Sequence, residues 1–219
     1  MDRKIIVTND DSTSLYIPDL DETYHSRHGA RQESMHVFIQ SGLNHLQDLK
    51  HVKIFEMGFG TGLNAFLTWK ENCKNHQTIE YVGIEKHPLQ IDLVKNLNFA
   101  ETDKEKAIFD TMHNAEWNKD VDIDEKFKLH KIKGDILDEC LNADYFDIIY
   151  YDAFGPKTQP QLWSHDICLK LYEILHNNGV IVTYCAQGQF KRNLKNVGFE
   201  VEELPGPPGK REMTRAIKH

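Results

Sequence analysis

Gly58, Gly60 and Gly62 stand at alternate positions between a short apolar run, residues 52–55, and a stretch in which Leu63, Phe66 and Leu67 fall at helical spacing. A strand, a glycine loop and a helix in that order form the phosphate- or nucleoside-binding corner of a doubly wound α/β fold. Glycine there permits positive φ and lets a ligand lie against bare main chain. The spacing departs from the dinucleotide fingerprint G-x-G-x-x-G, because Leu63 stands where its third glycine would fall. An acid, Glu56, leads the loop instead. Pyrophosphate favours the positive end of a helix, and a carboxylate at that mouth would repel it. Glu56 therefore points to a cationic or zwitterionic ligand. S-adenosyl-L-methionine, with a sulfonium, an amino group and no phosphate, fits.

Two further acids fall where such a ligand would need them. Glu85 ends a second apolar run, residues 81–85, roughly 20 residues beyond the loop, the distance at which an acid takes a ribose. One carboxylate can accept from both ribose hydroxyls. Asp135 follows a third alternating run, residues 127–132. It reads either as an acceptor for an adenine amino group or as a helix N-cap.

These positions need a sheet whose strand ends meet at one edge. The apolar run 146–151 reads as a central parallel strand, and it delivers Asp152-Ala-Phe-Gly-Pro156 to that edge. Further strands are expected at 180–184, 199–204 and up to Ile217, with helices between them. Ser164 is expected to cap a helix that runs to Asn178-Gly179. Upstream, residues 3–8 and 14–17 predict a hairpin, followed by a polar loop. Met35, Phe38, Ile39, Leu43 and Leu46 predict one amphipathic helix over about 31–48, on which Glu33 and His36 read as solvated. Pro88 opens another helix. Residues 100–126 predict a helical insertion around 104–116, packed by Trp117, and then a loop.

The chain of 219 residues is expected to be a single domain, with residues 1–30 as an extension and 100–126 as an insertion. Its composition, 40% hydrophobic and 27% charged, is that of a soluble globular protein, and no apolar run approaches a membrane span. The N-terminus lacks a secretory apolar region, so a cytoplasmic location is expected. The four cysteines form no C-x-x-C pair and the histidines no H-E-x-x-H, so no metal site is read. A net charge of −8 argues against a protein that simply coats nucleic acid. Residues 189–219 nevertheless carry more Lys and Arg than Glu, which leaves room for a local basic face.

Taken together, these residues resemble the methyltransferase domain of the MnmC family, which modifies the wobble uridine of certain tRNAs. The resemblance rests on Asp21-x-x-Tyr24-x-Ser26 with Gly29 and Glu33, and on Glu56-x-Gly58-Phe-Gly60-x-Gly62-Leu-Asn64. It rests further on Asp152-x-Phe154-x-Pro156 with Pro160 and Trp163, and on Lys210-Arg211-Glu212-Met213. It implies a class I (Rossmann-like) fold: a mostly parallel seven-stranded sheet with the last strand antiparallel. It implies S-adenosyl-L-methionine as cofactor, held by Tyr24, Ser26, Glu33, Glu56, Gly58, Gly60, Gly62, Asn64, Glu85, Asp135 and Asp152. The implied reaction converts 5-aminomethyl-2-thiouridine to 5-methylaminomethyl-2-thiouridine, with Phe154, Pro156, Lys210 and Arg211 toward the tRNA anticodon stem-loop. Two departures stand out: His25 where the family often has Phe, and the stiff pair Pro207-Pro208 in place of a glycine-rich loop. Family members are often fused to an oxidase that makes the amine. None follows His219, so the expectation is that a separate enzyme supplies the amine or that the substrate differs.

Asp152 is the expected catalytic residue, accepting a hydrogen bond from the amine and aiming its lone pair. Phe154 would stack on the flipped base. The structural alternatives are a turn-initiating Asp and a buried loop Phe. For Lys210 and Arg211 the alternative to phosphate contact is a solvated strand start. Two other functions fit the pattern: a methyltransferase for a small-molecule or protein amine, and a nucleotide-binding or oxidoreductase domain. Leu63 speaks against the latter. An aminopropyltransferase would carry Asp-Gly-Gly in the glycine loop, which is absent.

Overall fold

The structure, a computed structural model, describes residues 2–219. The chain opens with strands β1 (Lys4–Val7), β2 (Thr13–Ile17) and β3 (Glu22–Thr23), then helix α1 (Ala30–Ser34). β4 (His51–Met57), α2 (Leu63–Asn75), β5 (Thr78–Glu85), α3 (Ile91–Val94) and α4 (Asp103–Asn114) follow, then β6 (Asp120–Asp124), β7 (Phe127–Lys133) and β8 (Phe146–Tyr151). The last elements are α5 (His165–Ile174), β9 (Leu175–Thr183), α6 (Gly188–Val197), β10 (Glu200–Pro205) and β11 (Glu212–Ile217).

The large sheet has the order β10-β11-β9-β8-β4-β5-β7-β6. β7, β5, β4, β8 and β9 run parallel, while β11 lies antiparallel between β9 and β10. β8 shows why this sheet must be covered on both faces. Ile148 and Tyr150 enter the core under α2 and α4, whereas Ile149 and Tyr151 enter the core under α5 and α6, and all four are buried. Parallel strands place their carboxyl ends on one edge. The loops after β4, β5, β7 and β8 therefore converge there.

The seven-strand frame expected from the sequence is present, and β6 adds an eighth strand where a loop was expected. Val121 and Ile123 alternate with aspartates, Ile123 is buried, and the strand pairs antiparallel with β7. Its acidic residues blunt the outer edge. α4 carries a full capping box, Thr102 with Glu105. The N-terminal hairpin gains β3 and becomes a three-stranded sheet.

The helix expected over 31–48 is broken. α1 passes into a π-helical turn, Met35–Gln40, and the chain resumes as a 3₁₀ turn, Leu43–Leu46. Gly42 explains the break: a Cβ there would lie 2.4 Å from the Phe38 carbonyl oxygen and 3.0 Å from both Ile148 and Val182. The backbone itself touches the sheet at that point. The helix expected after Pro88 is reduced to α3, because Asn98 Oδ1 accepts from Thr13 N at 2.7 Å and ties the chain to β2. α5 stops at Ile174, and β9 takes over with an irregular register near Phe146.

Candidate active site

The glycine loop is bonded to the strand beside it, since Gly58 N and Phe59 N both donate to Ile84 O, at 3.1 and 3.0 Å. Gly58 has φ 92°, and a Cβ there would lie 2.9 Å from Asp152 O. At Gly60, φ is 48° and a Cβ would meet the Tyr24 ring at 3.2 Å. The loop is thus threaded between the Asp152 turn and an aromatic ring from the N-terminal segment, and only glycine fits both places.

Beside it lies a cavity of about 310 Å³, within the range of small-molecule sites. Tyr24, Gly58, Gly60, Asn64, Glu85, Asp135, Asp152 and Phe154 line it. Glu85 is held by its own backbone neighbours: Oε2 accepts from Gly60 N at 3.0 Å and Oε1 from His87 N at 2.7 Å. A carboxylate has about four acceptor positions, so two remain for a diol. Asp135 Oδ1 accepts from Leu137 N at 3.0 Å and Oδ2 from Lys86 Nζ at 2.7 Å. Burial opposes its ionisation, but these bonds prevail and hold its carboxyl below the ordinary range. Asp135 opens a turn and caps no helix.

Asn64, in the first turn of α2, links two acids. Its amide nitrogen donates to Glu56 Oε1 and to Asp152 Oδ2, both at 2.9 Å. Burial pushes the Glu56 carboxyl well above its usual value, with the nearby Asp152 charge adding to it. Asp152 is pushed up to about 7, chiefly by burial and next by the Glu33 charge, with Asn64 and Lys210 opposing. Asn64 Oδ1 is buried without a partner, while Glu56 and the Tyr81 hydroxyl lie buried beside each other. The wall itself carries three carboxyls, those of Glu85, Asp135 and Asp152. Such a wall suits a cationic ligand.

Seven of the expected residues lie off the cavity wall. Glu56 sits beneath the loop on β4, 1% exposed, where its carboxyl accepts from Asn64 of α2. Gly62 abuts His113. Glu33 is buried, in contrast to the solvated position read from the helix pattern. It accepts from Ser26 N at 2.9 Å and from Lys210 Nζ at 2.5 Å. Lys210 also lies over the Tyr184 ring, 3.8 Å from its centroid, and the Tyr184 hydroxyl donates to Ala153 O at 2.8 Å. Pro156 stands outside the cavity lining, and the Arg211 side chain is 93% exposed.

Phe154 is fixed from both sides. Its N–H donates to Gln159 Oε1 at 3.1 Å, its carbonyl accepts from Trp163 Nε1 at 2.9 Å, and its ring meets Tyr24 edge-on at 5.3 Å. Pattern reading missed Arg3, His25 and Thr61, which also line the cavity. Arg3 Nε donates to the Tyr24 hydroxyl at 2.9 Å, and its guanidinium reaches His87 O at 2.8 Å. His25 bridges Ser14 Oγ (3.0 Å) and Thr61 Oγ1 (3.1 Å), and burial pushes its pKa down to about 4, so it is neutral near pH 7. No motif marked Arg3 or Thr61; the only signal for His25 was its departure from a family Phe.

Among the described residues no group of His, Cys, Asp or Glu is arranged to hold a metal ion, and no helix is long and apolar enough to cross a membrane.

Comparison with known proteins agrees with this geometry. A family profile described as S-adenosyl-L-methionine-dependent methyltransferase matches residues 100–219. The chain is 33% identical, over 84% of its length, to the tRNA 5-methylaminomethyl-2-thiouridine biosynthesis bifunctional protein MnmC of Campylobacter hominis. It is 31% identical, over 92% of its length, to the protein of that name from Cupriavidus necator. The chain spans only 28% and 32% of these two relatives. The crystal structure of MnmC2 from Aquifex aeolicus superposes with a TM-score of 0.82 at 25% identity, covering 99% of this chain and 70% of that one. The glycine cradle, the free acceptor positions of Glu85 and the acid-rich wall fit S-adenosyl-L-methionine, and the chain belongs to the S-adenosyl-L-methionine-dependent methyltransferases, within their MnmC-like family.

Proposed function

We propose that this protein methylates a primary amine, the 5-aminomethyl group of wobble (2-thio)uridine in tRNA, giving the 5-methylaminomethyl nucleoside. The observation that supports this most is Asp152: a carboxyl at the cavity wall, bonded to Asn64, and pushed up to about 7. S-adenosyl-L-methionine supplies an electrophilic methyl group on a sulfonium. With the cofactor bound, the amine nitrogen would take that methyl group, the N–C bond replacing the C–S bond and the electron pair remaining on sulfur. An alkylamine titrates near ~10, so most of it is protonated at neutral pH and has no lone pair to offer. Asp152 accepts a hydrogen bond from the nitrogen, turns its lone pair toward the methyl, and takes the proton that leaves. A carboxyl that titrates near the working pH is suited to that exchange. Glu85 would hold the ribose of the cofactor, Asp135 and Arg3 the adenosine end, and Phe154 would stack on the substrate base.

On this reading Arg211, Arg192 and Lys195 face phosphates, the protein works in the cytoplasm, and an amine-forming enzyme acts before it. The net charge of −8 favours a second reading, methylation of a small-molecule or protein amine. Salt-sensitive retention of tRNA by the purified protein separates the two. Single-turnover methylation of hypomodified tRNA tests the role of Asp152. Asp152→Asn should lower the rate by about 10²–10⁴, more than it weakens cofactor binding, with partial recovery as pH rises. A wild-type rate in the variant at neutral pH would leave Asp152 a turn residue only.

A further inference from the structure

Among the described residues, Asn64 alone donates a hydrogen bond to the Asp152 carboxyl. It stands in the first turn of α2, 3% exposed, and Thr68 Oγ1 donates to its backbone carbonyl at 2.7 Å. Its amide nitrogen carries two hydrogens, and both are taken, by Glu56 Oε1 and by Asp152 Oδ2. The reverse orientation would press the amide oxygen on both acids and leave two donors without acceptors. The far anchor is rigid, because Glu56 is packed on β4 beside Tyr81.

The main chain of Asp152 is pinned independently. Asp152 N donates to Met57 O at 3.1 Å, and its own carbonyl oxygen packs against Gly58. Only the side-chain torsions are left, and the bond from Asn64 to Oδ2 fixes those. Oδ1 accepts from no described residue and lies open at the cavity wall. A carboxyl free to rotate would meet an amine in several geometries, few of which aim the nitrogen lone pair at the methyl group. Misplacement by about 1 Å costs on the order of 10²-fold in rate.

We infer that Asn64 is a positioning residue for methyl transfer: braced on Glu56, it holds Asp152 Oδ2 and so presents Oδ1 to the amine. This rests on the reading of Asp152 as the group that meets the amine. Asn64 carries no proton in the reaction and acts through Asp152.

The test is a double-mutant cycle on amine methylation at saturating S-adenosyl-L-methionine, with Asn64→Ala, Asp152→Ala and the pair. Asn64→Ala should lower kcat about ten- to hundredfold. In the Asp152→Ala background the same change should cost less than about twofold. Affinity for S-adenosylhomocysteine, by calorimetry, should fall less than kcat. Equal costs in the two backgrounds would make Asn64 a structural residue, and a loss confined to affinity would make it a cofactor contact; either overturns the inference. If Asn64→Ala does not fold, Asn64→Ser enters the same cycle, since its hydroxyl can donate to one acid only. The bond itself is followed by NMR of protein labelled with ¹⁵N in asparagine, the Asn64 amide being assigned by its loss in the Asn64 variant. Asp152→Ala should move one of its two proton signals upfield, and unmoved signals overturn the inference. A shifted signal in an Asp152→Ala protein that methylates at the wild-type rate would keep Asn64 as the brace of that carboxyl and overturn the proposed role of Asp152.

Discussion

Asp152 carries its burial into stability as well as chemistry. Its carboxyl is raised from 3.8 to about 7 on folding, so the stability gained with the neutral form is complete below about pH 4 and lost as pH rises through about 7. Asp152→Asn should therefore melt above wild type in neutral and alkaline solution, and the difference should vanish in acid. The gain is at most about 4 kcal/mol, and less because the side chain partly faces the cavity. Thermal unfolding across that pH range measures it; a flat difference would mean that Asp152 ionises freely in the folded protein. Glu85 makes a second residue-scale prediction: Glu85→Ala should weaken cofactor binding roughly ten- to hundredfold, by loss of a charge-assisted acceptor. Calorimetry showing unchanged affinity would remove the ribose role. Glu85 and Asp152 were legible because each stands at the end of an apolar strand, Glu85 also at the ribose distance from the glycine loop. Glu33 was not: helical spacing gave it a solvated face, and its partner Lys210 lies far along the chain.

Among the elements, the N-terminal sheet matters most to the site, because it closes the cavity over the glycine loop. His25 is its fastener, bonded to Ser14 on β2 and to Thr61 in the loop. Its pKa, like that of His113, falls from 6.5 to about 4 on folding, in both cases mainly through burial. The stability tied to the neutral rings is present above pH 6.5 and is lost as pH falls toward about 4, roughly 3 kcal/mol at most for each. His25→Phe should cost about 1–3 kcal/mol at neutral pH by leaving two buried hydroxyls short of a partner. It should also lose less stability than wild type on acidification. Urea titrations at two pH values would contradict this if the acid loss were equal in both proteins. The parallel strands were legible as apolar runs flanked by glycine and acid. β6, the π-helical turn and the early start of β9 were not, because each depends on tertiary contact: pairing with β7, Gly42 against the sheet, and the register with β8.

At the scale of the whole molecule, the proposed function requires an acidic body to present its site to a polyanion, so the cations near its rim would carry unequal weight. Arg211 is exposed, with the Glu212 carboxylate 3.5 Å from its Nε, whereas Lys210 is committed inward. Arg211→Ala should weaken tRNA binding and flatten its salt dependence by about one ion, with cofactor affinity unchanged. A salt slope equal to wild type would place the tRNA on another face. The proposed reaction itself is tested most directly by incubating hypomodified tRNA with the purified protein and isotopically labelled S-adenosyl-L-methionine, then resolving the nucleosides by mass spectrometry. The label should appear on a single methyl group, as 5-methylaminomethyl (2-thio)uridine at the wobble position. Label on any other nucleoside, or unlabelled tRNA beside a labelled small-molecule or protein amine, would contradict the assignment.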